Sequence, residues 1–80
     1  MKVDVLLPQW GMGMSEGLIT QWMKSVGDKV TEGEMIAEIE TEKAGQELEC
    51  PADGILTEIK VGENERAKVR TVIAVIETDD

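Results

Sequence analysis

One lysine among the 80 residues is set apart by its surroundings. Lys43 stands in the run Ile39-Glu40-Thr41-Glu42-Lys43-Ala44-Gly45, between the strand-like segments Met35 to Thr41 and Gln46 to Cys50. This spacing predicts a hairpin with Lys43 at its tip and Glu42, Ala44 and Gly45 completing the turn. A free lysine amine titrates near about 10.4, and catalytic lysines are brought down from there by burial or by neighbouring cations. Neither lever is written around Lys43. Glu40 and Glu42 favour the charged ammonium, which makes the amine a poor nucleophile at neutral pH and disfavours Schiff-base catalysis. An exposed hairpin amine suits attachment instead: a separate ligase activates an acyl group, and the domain offers the acceptor in a fixed place. Lysine at a hairpin tip is also ordinary solvated surface, and the local residues alone leave that reading open.

Other reactive groups are scarce. The sequence has no His, which removes the usual general base and the usual metal ligand, so no catalytic residues and no metal are expected. Cys50 is the only cysteine, which rules out an internal disulfide. It follows Leu48 on the same strand parity, as a reduced core cysteine would. Seventeen acidic against eight basic side chains give a net charge of -9. Such a surface repels phosphate backbones and anionic headgroups, so neither nucleic acid nor membrane is an expected partner. Proteins presenting basic patches are better candidates. No segment has the pattern of a signal peptide or of a membrane-spanning helix, and a reducing cytoplasm is the expected compartment.

The elements that must hold the lysine are strands. Eighty residues fit one domain, and at that size a core hides only roughly 60% of the unfolded chain's surface, too little for a deep catalytic cleft. Phe and Tyr are absent, leaving Val, Ile, Leu, Met and Ala to fill the interior. Val3, Val5 and Leu7 alternate with outward residues before Pro8 ends the first strand. Residues 9 to 17 hold Gly11, Gly13, Gly17, Trp10, Met12 and Met14, the composition of an irregular loop with an apolar surface. These apolar side chains either fold back as packing or form a recognition surface. Helix is poorly supported; the best candidate, Trp22 to Lys29, contains Gly27.

An internal repeat organises the rest. Met35, Ala37, Ile39 and Thr41 recur 37 residues later as Val72, Ala74, Ile76 and Thr78. Leu18, Thr20 and Trp22 match Ile55, Thr57 and Ile59, and these are expected to be the inward positions of equivalent strands. Gly27-Asp28 and Gly62-Glu63 read as matching turns, which requires two added residues near Asn64-Glu65. Gly33 aligns with Arg70, so a turn needing positive φ would be strained in the second copy. Two similar half-domains folding on one another, built of short strands and glycine turns, predict an all-β sandwich or flattened barrel.

The order and spacing of Leu7-Pro8, Gly13-Met14-Ser15-Glu16-Gly17-Leu18-Ile19, Trp22, Gly27-Asp28-Lys29-Val30, Gly33, Glu38-Ile39-Glu40-Thr41-Glu42-Lys43-Ala44, Pro51-Ala52-Asp53-Gly54 and Val72-Ile73-Ala74-Val75-Ile76 resemble the lipoyl domains of 2-oxo acid dehydrogenase complexes. The resemblance covers nearly the whole chain. It implies two four-stranded antiparallel sheets related by a pseudo-twofold axis, with lipoate in amide linkage on Lys43. It further implies a swinging-arm carrier that is reductively acylated by a thiamine-diphosphate-dependent enzyme (E1), delivers the acyl group to coenzyme A at an acyltransferase core (E2), and is reoxidised by the flavoprotein dihydrolipoamide dehydrogenase (E3). A lipoate ligase or lipoyl transferase would install the cofactor, taking the net charge from -9 to -10. The loop before Gly17 is where such domains recognise partners, which gives Trp10, Met12, Met14, Glu16 and Glu40 weight. Residues 1–80 would form a monomeric domain at the N-terminal part of a longer acyltransferase chain, in the bacterial cytoplasm or the mitochondrial matrix. Glu42 stands where the family usually has Asp, and Arg70 where it usually has Gly. A biotin carrier is the nearest rival, but it is expected to hold Met on both sides of its lysine. An unmodified structural or adaptor barrel is the other. The repeat places Asp79-Asp80 as the counterpart of Glu42-Lys43, so the chain ends and the lysine are expected at opposite poles.

Overall fold

The computed structural model describes residues 1–42 and 44–78, and no helix occurs among them. The strands are β1 (Lys2–Leu6), β2 (Glu16–Trp22), β3 (Lys29–Val30), β4 (Met35–Glu40), β5 (Gly45–Glu49), β6 (Gly54–Ile59), β7 (Arg66–Lys68) and β8 (Val72–Glu77). One sheet has the order β1-β8-β6-β3 and the other β5-β4-β2-β7, with every pairing antiparallel. The expected all-β architecture of two four-stranded sheets is therefore present. Exchanging β1, β8, β6 and β3 for β5, β4, β2 and β7 converts one sheet's order into the other's, which is the pseudo-twofold relation the repeat predicts.

The core between the sheets is aliphatic. Leu7, Ile19, Ile36, Ile39, Leu56, Ile73 and Ile76 are fully buried, and no polar side chain is buried among the described residues. Trp22 packs at the edge of this core and donates its indole N–H to the Val61 carbonyl at 2.9 Å, so its one polar atom is satisfied. Val5 and Leu7 point inward, as the alternation in β1 predicts, and so do Leu48 and Cys50. The Cys50 thiol contacts the Ala52 carbonyl oxygen at 2.9 Å, and burial pushes its pKa up, so the thiol stays protonated and unreactive.

The inward positions of β2 and β6 differ from the expectation. Ile19 and Leu56 are buried completely, whereas Ile55 is 40% exposed. The cause is a matched pair of β-bulges. Register skips from Ile19 to Gln21 against β4 and from Leu56 to Glu58 against β8, leaving Thr20 and Thr57 unpaired. Each bulged threonine donates its hydroxyl to the strand it faces, Thr20 to the Glu38 carbonyl at 3.0 Å and Thr57 to the Val75 carbonyl at 3.2 Å. The extra residue inverts the parity, so Ile19 and Trp22, like Leu56 and Ile59, lie on the core side together. A single parity drawn through Leu18, Thr20 and Trp22 cannot survive that bulge.

The turns also correct the alignment of the halves. Positive φ occurs at Gly27 (99°) and Asn64 (68°), which stand at the repeat spacing, and Gly62 is not among the residues with positive φ. In the first turn Ser25 N–H binds the Asp28 carboxylate at 2.8 Å; in the second Gly62 N–H binds the Glu65 carboxylate at 2.6 Å. No residues are therefore added near Asn64-Glu65. Matching glycine to glycine misled the sequence reading, because the geometry requires a residue that tolerates the left-handed region, and Asn serves as Gly does.

Arg70 is the strained counterpart. It holds φ 68° where Gly33 holds 87°, and its N–H donates to the Leu7 carbonyl at 2.8 Å just as Gly33 N–H donates to Cys50 at 2.9 Å. Its side chain is exposed, so it offers no burial to offset the strain. Left-handed geometry costs a non-glycine residue about 1–2 kcal/mol, while glycine's extra freedom in the unfolded chain returns about 0.5–1 kcal/mol of that. Arg70→Gly is accordingly expected to stabilise the domain by up to about 1 kcal/mol, a rise of up to about 4–8 °C in Tm for a domain of this size. Thermal or urea denaturation measures this, and a lowered midpoint would contradict it.

Candidate functional site

Among the described residues, β4 and β5 are the one pair in their sheet that neighbour each other both in sequence and in hydrogen bonding. Pairing runs out to Glu40 opposite Gly45, one residue earlier on the second strand than the sequence suggested. Beyond that pair the turn is closed by its first and last residues. Thr41 N–H donates to the Ala44 carbonyl at 2.9 Å, and the Thr41 hydroxyl donates to the same oxygen at 2.8 Å. The same hydroxyl accepts from Ala44 N–H at 3.3 Å. Glu42 and Ala44 are exposed, and Lys43, the predicted attachment residue, lies outside the described residues.

The chain ends repeat this closure in the other sheet. Thr78 N–H and the Thr78 hydroxyl both donate to the Met1 carbonyl, at 2.8 and 3.1 Å. The predicted counterpart of the lysine turn, Asp79-Asp80, lies outside the described residues.

Two surface grooves flank the hairpin. The first, about 270 Å³, is walled by the loop Trp10–Gly17 on one side and by Glu40, Thr41, Glu42 and Gln46 on the other, with Arg66 of β7 at its edge. The second, about 320 Å³, lies along Thr20, Glu38, Glu40, Glu42, Ala44 and Gly45. Trp10, Met12, Met14, Glu16, Glu40 and Glu42 are thus brought together around the first groove, and Ala44 and Gly45 line the second. The apolar side chains of the loop divide between two environments. Trp10 and Met14 pack against the barrel core, whereas Met12 is 97% exposed.

The loop is folded rather than merely long. Gln9 donates its side-chain N–H to the Met14 carbonyl at 3.3 Å, Met14 N–H returns to Gly11 at 3.2 Å, and Gly13 takes φ 87°. Val69 N–H fixes the far end by donating to Ser15 at 3.0 Å. These bonds hold the loop beside the hairpin.

The grooves are electronegative. Glu16, Glu40 and Glu42 face Arg66, whose guanidinium approaches Glu16 at 3.5 Å. Both partners are largely exposed, so this pair contributes little to stability and leaves the carboxylates open to a basic partner. Sequence reasoning missed Arg66, Gln46, Thr20 and Glu38, and it missed the closing role of Thr41. The position of Arg66 follows from β7 pairing with β2 across the sheet, and a strand of three residues carries no pattern that announces that partner. Among the described residues no group of His, Cys, Asp and Glu is arranged to hold a metal.

The described residues thus form a two-sheet scaffold with a short closed turn between β4 and β5 and a groove on either side of it. Residues 3–76 match the family described as biotin-requiring enzyme, the biotin/lipoyl family, and the chain belongs to it. Among relatives, it is 45% identical over 76 residues to the dihydrolipoyllysine-residue acetyltransferase component of the acetoin cleaving system of Bacillus subtilis, covering 95% of this chain and 19% of that protein. It is 41% identical over 80 residues to the pyruvate dehydrogenase E1 component subunit beta of Rhizobium meliloti, covering 99% of this chain and 17% of that one. The chain therefore spans about a fifth of the length of these relatives. The solution structure of the lipoyl domain of the 2-oxoglutarate dehydrogenase complex from Azotobacter vinelandii superposes with TM-score 0.79 at 26% identity, over 98% of this chain and 99% of that one. The resemblance to lipoyl domains of acyltransferases is borne out by these matches.

Proposed function

We propose that Lys43 carries lipoate in amide linkage and that the domain serves as a mobile acyl carrier in a 2-oxo acid or acetoin dehydrogenase complex. The observation that carries this reading is the exposed turn closed by Thr41 and Ala44, standing between two grooves on a scaffold with no catalytic constellation among its described residues. The groove beside the turn fits such a group, since Trp10, Met12 and Met14 contribute apolar atoms to its lining, against which an aliphatic arm can rest beside the carboxylates of Glu16, Glu40 and Glu42. When bound, lipoate supplies a disulfide that accepts an acyl group together with two electrons and releases the acyl group to a thiol.

This chain's residues do the rest by placement. The β4–β5 hairpin carries the attachment residue in its turn, and the Trp10–Gly17 loop lines the groove beside that hairpin. Tethering raises the effective concentration of the acyl group at successive active sites, which is the physical advantage of a carrier. The partners are then a thiamine-diphosphate-dependent dehydrogenase, an acyltransferase core, dihydrolipoamide dehydrogenase and a lipoate ligase or lipoyl transferase, in the bacterial cytoplasm or mitochondrial matrix. The domain is carried on a longer chain, an acyltransferase as in the Bacillus relative.

Lipoate is favoured over biotin because Glu42 and Ala44, not Met, flank the lysine. Intact mass of the domain produced with both cofactors and both ligases present decides between them: a lipoyl increment on Lys43 is expected, and a biotinyl increment would overturn the reading.

Trp10, Met12, Met14, Glu16 and Glu40 are assigned to partner recognition. Exchanging Gln9 to Glu16 for the corresponding loop of a domain from a different complex is expected to lower the rate of reductive acylation by the original dehydrogenase by about ten-fold or more, since loss of a few well-placed contacts is worth that much. An unaltered partner preference, in a domain that melts normally, would remove the loop from recognition.

A further inference from the structure

We propose that Thr41 is a positioning residue for the modification of Lys43, its hydroxyl holding the turn in the shape that the modifying ligase must grip. This rests on the reading of Lys43 as the attachment residue. The Thr41 hydroxyl and N–H both donate to the Ala44 carbonyl, at 2.8 and 2.9 Å, and the hydroxyl also accepts from Ala44 N–H at 3.3 Å. Three hydrogen bonds thus tie residue 41 to residue 44, and in sequence they enclose only Glu42 and Lys43. Side chains that bond their own turn in this way narrow the set of backbone conformations the turn visits.

That narrowing matters more for a ligase than for the fold. The turn is solvent-exposed, and water replaces the lost partners when the hydroxyl is removed. A ligase, in contrast, must bring one amine to the carbonyl carbon of a lipoyl adenylate. There the amide bond forms, AMP leaves, and the amine gives up its proton to solvent. A turn that samples several shapes offers the competent one for a fraction of the time, and the apparent affinity falls by that fraction. Small misplacements of an attacking group are costly on their own account.

The pseudo-twofold axis supplies an internal control. Thr78 donates through N–H and hydroxyl to the Met1 carbonyl, at 2.8 and 3.1 Å, just as Thr41 donates to Ala44. Removing either hydroxyl deletes its bond to the carbonyl it faces, and at Thr41 also the longer bond from Ala44 N–H, but only Thr41 stands two residues from the lysine in sequence. A purely structural role for these threonines would leave ligation unaffected by either substitution beyond its effect on the melt.

The test uses the purified domain as substrate for a lipoate ligase with lipoate and ATP, measuring kcat and KM for the domain alongside its melting curve. Thr41→Val is expected to lower kcat/KM by about ten-fold or more, chiefly through KM. Thr41→Ser should restore it to within about two-fold because the hydroxyl returns, and Thr78→Val should leave it unchanged while shifting the melt as Thr41→Val does. Thr41→Ala serves as a second hydroxyl-free variant should the valine variant fold poorly. Wild-type kcat/KM in both hydroxyl-free variants, or an equal loss in Thr78→Val, would overturn the proposal. Failure of the wild-type domain to take up lipoate would instead overturn the cofactor reading. In that case the same comparison, run with biotin ligase and biotin, still decides the role of Thr41.

Discussion

Lys43→Ala is expected to abolish modification and acyl transfer completely while leaving the domain folded. The neighbours Glu42 and Ala44 are exposed, and the hydrogen bonds that close the turn run between Thr41 and Ala44, so they do not require the lysine side chain. The buried side chains lie elsewhere, on the facing sides of the two sheets. A substitution at such a site falls within about 0.5 kcal/mol of neutral, which for a domain of this size is a change in Tm of a few degrees at most. Lys43→Arg sharpens the experiment. It keeps the positive charge between Glu42 and Ala44, yet guanidinium is not acylated by a ligase that takes an amine. Both variants should therefore melt like the wild type and carry no cofactor. Modification surviving in either would place the attachment point elsewhere on the chain.

The largest expected effect on stability lies at a glycine of β6, in the sheet that does not contain the β4–β5 hairpin. A Cβ built on Gly54 would collide with the Glu77 carbonyl oxygen and would lie 2.9 Å from the Glu77 carbonyl carbon and 3.0 Å from the Ile76 side chain. Both of the first contacts are backbone, and the backbone there is fixed by the β6–β8 ladder that sets Leu56 opposite Ile76 in the core. Neither strand can retreat without opening that pairing. Gly54→Ala is expected to cost about 3 kcal/mol or more, lowering Tm by roughly 12–24 °C. Its counterpart Gly17 is less demanding, because the Cβ would meet the Ile39 methyl at 2.8 Å, a side-chain atom that can shift at a smaller cost. Gly17→Ala should therefore destabilise less than Gly54→Ala. Denaturation of the two variants side by side measures this, and a Gly54→Ala protein as stable as the wild type would show that the two strands separate more readily than their pairing implies.

How much of this was legible in the residues depended on what each feature requires. Strand alternation in Val3, Val5 and Leu7, and the recurrence of Met35–Thr41 as Val72–Thr78, follow from local pattern, and the two-sheet fold follows from them. The bulges at Thr20 and Thr57 do not. A bulge is an event between two strands, recorded in a pairing register, and a threonine in a strand looks the same whether paired or extruded. The inward faces of β2 and β6 were misassigned for that reason. The turn alignment failed in a different way: Gly62 attracted the match because of its type, whereas Asn64 holds the conformation that defines the turn. At Arg70 the sequence posed the right question, and the backbone answered it with positive φ.

The site was legible to a similar depth. Glu42, Ala44, Gly45 and the loop residues were chosen from sequence, and they do gather around one hairpin. Arg66 and Thr20 were invisible because they join the site only through sheet pairing, whereas Glu38 lies two residues before Glu40 on β4 and follows from strand parity. The division of the loop was beyond sequence as well, since Trp10 and Met14 turn to the core and Met12 to solvent only once Gly13 and the Gln9–Met14 hydrogen bond set the path of the chain.

On the proposed function, Lys43 holds the group that receives the acyl load. The most direct measurement exposes the lipoylated domain to a labelled 2-oxo acid and its thiamine-diphosphate-dependent dehydrogenase, then locates the label by peptide mass mapping. Label is expected on the peptide containing Lys43, absent from Lys43→Ala and released by coenzyme A in the presence of the acyltransferase. Label on any other residue, or transfer that persists in Lys43→Ala, would contradict it.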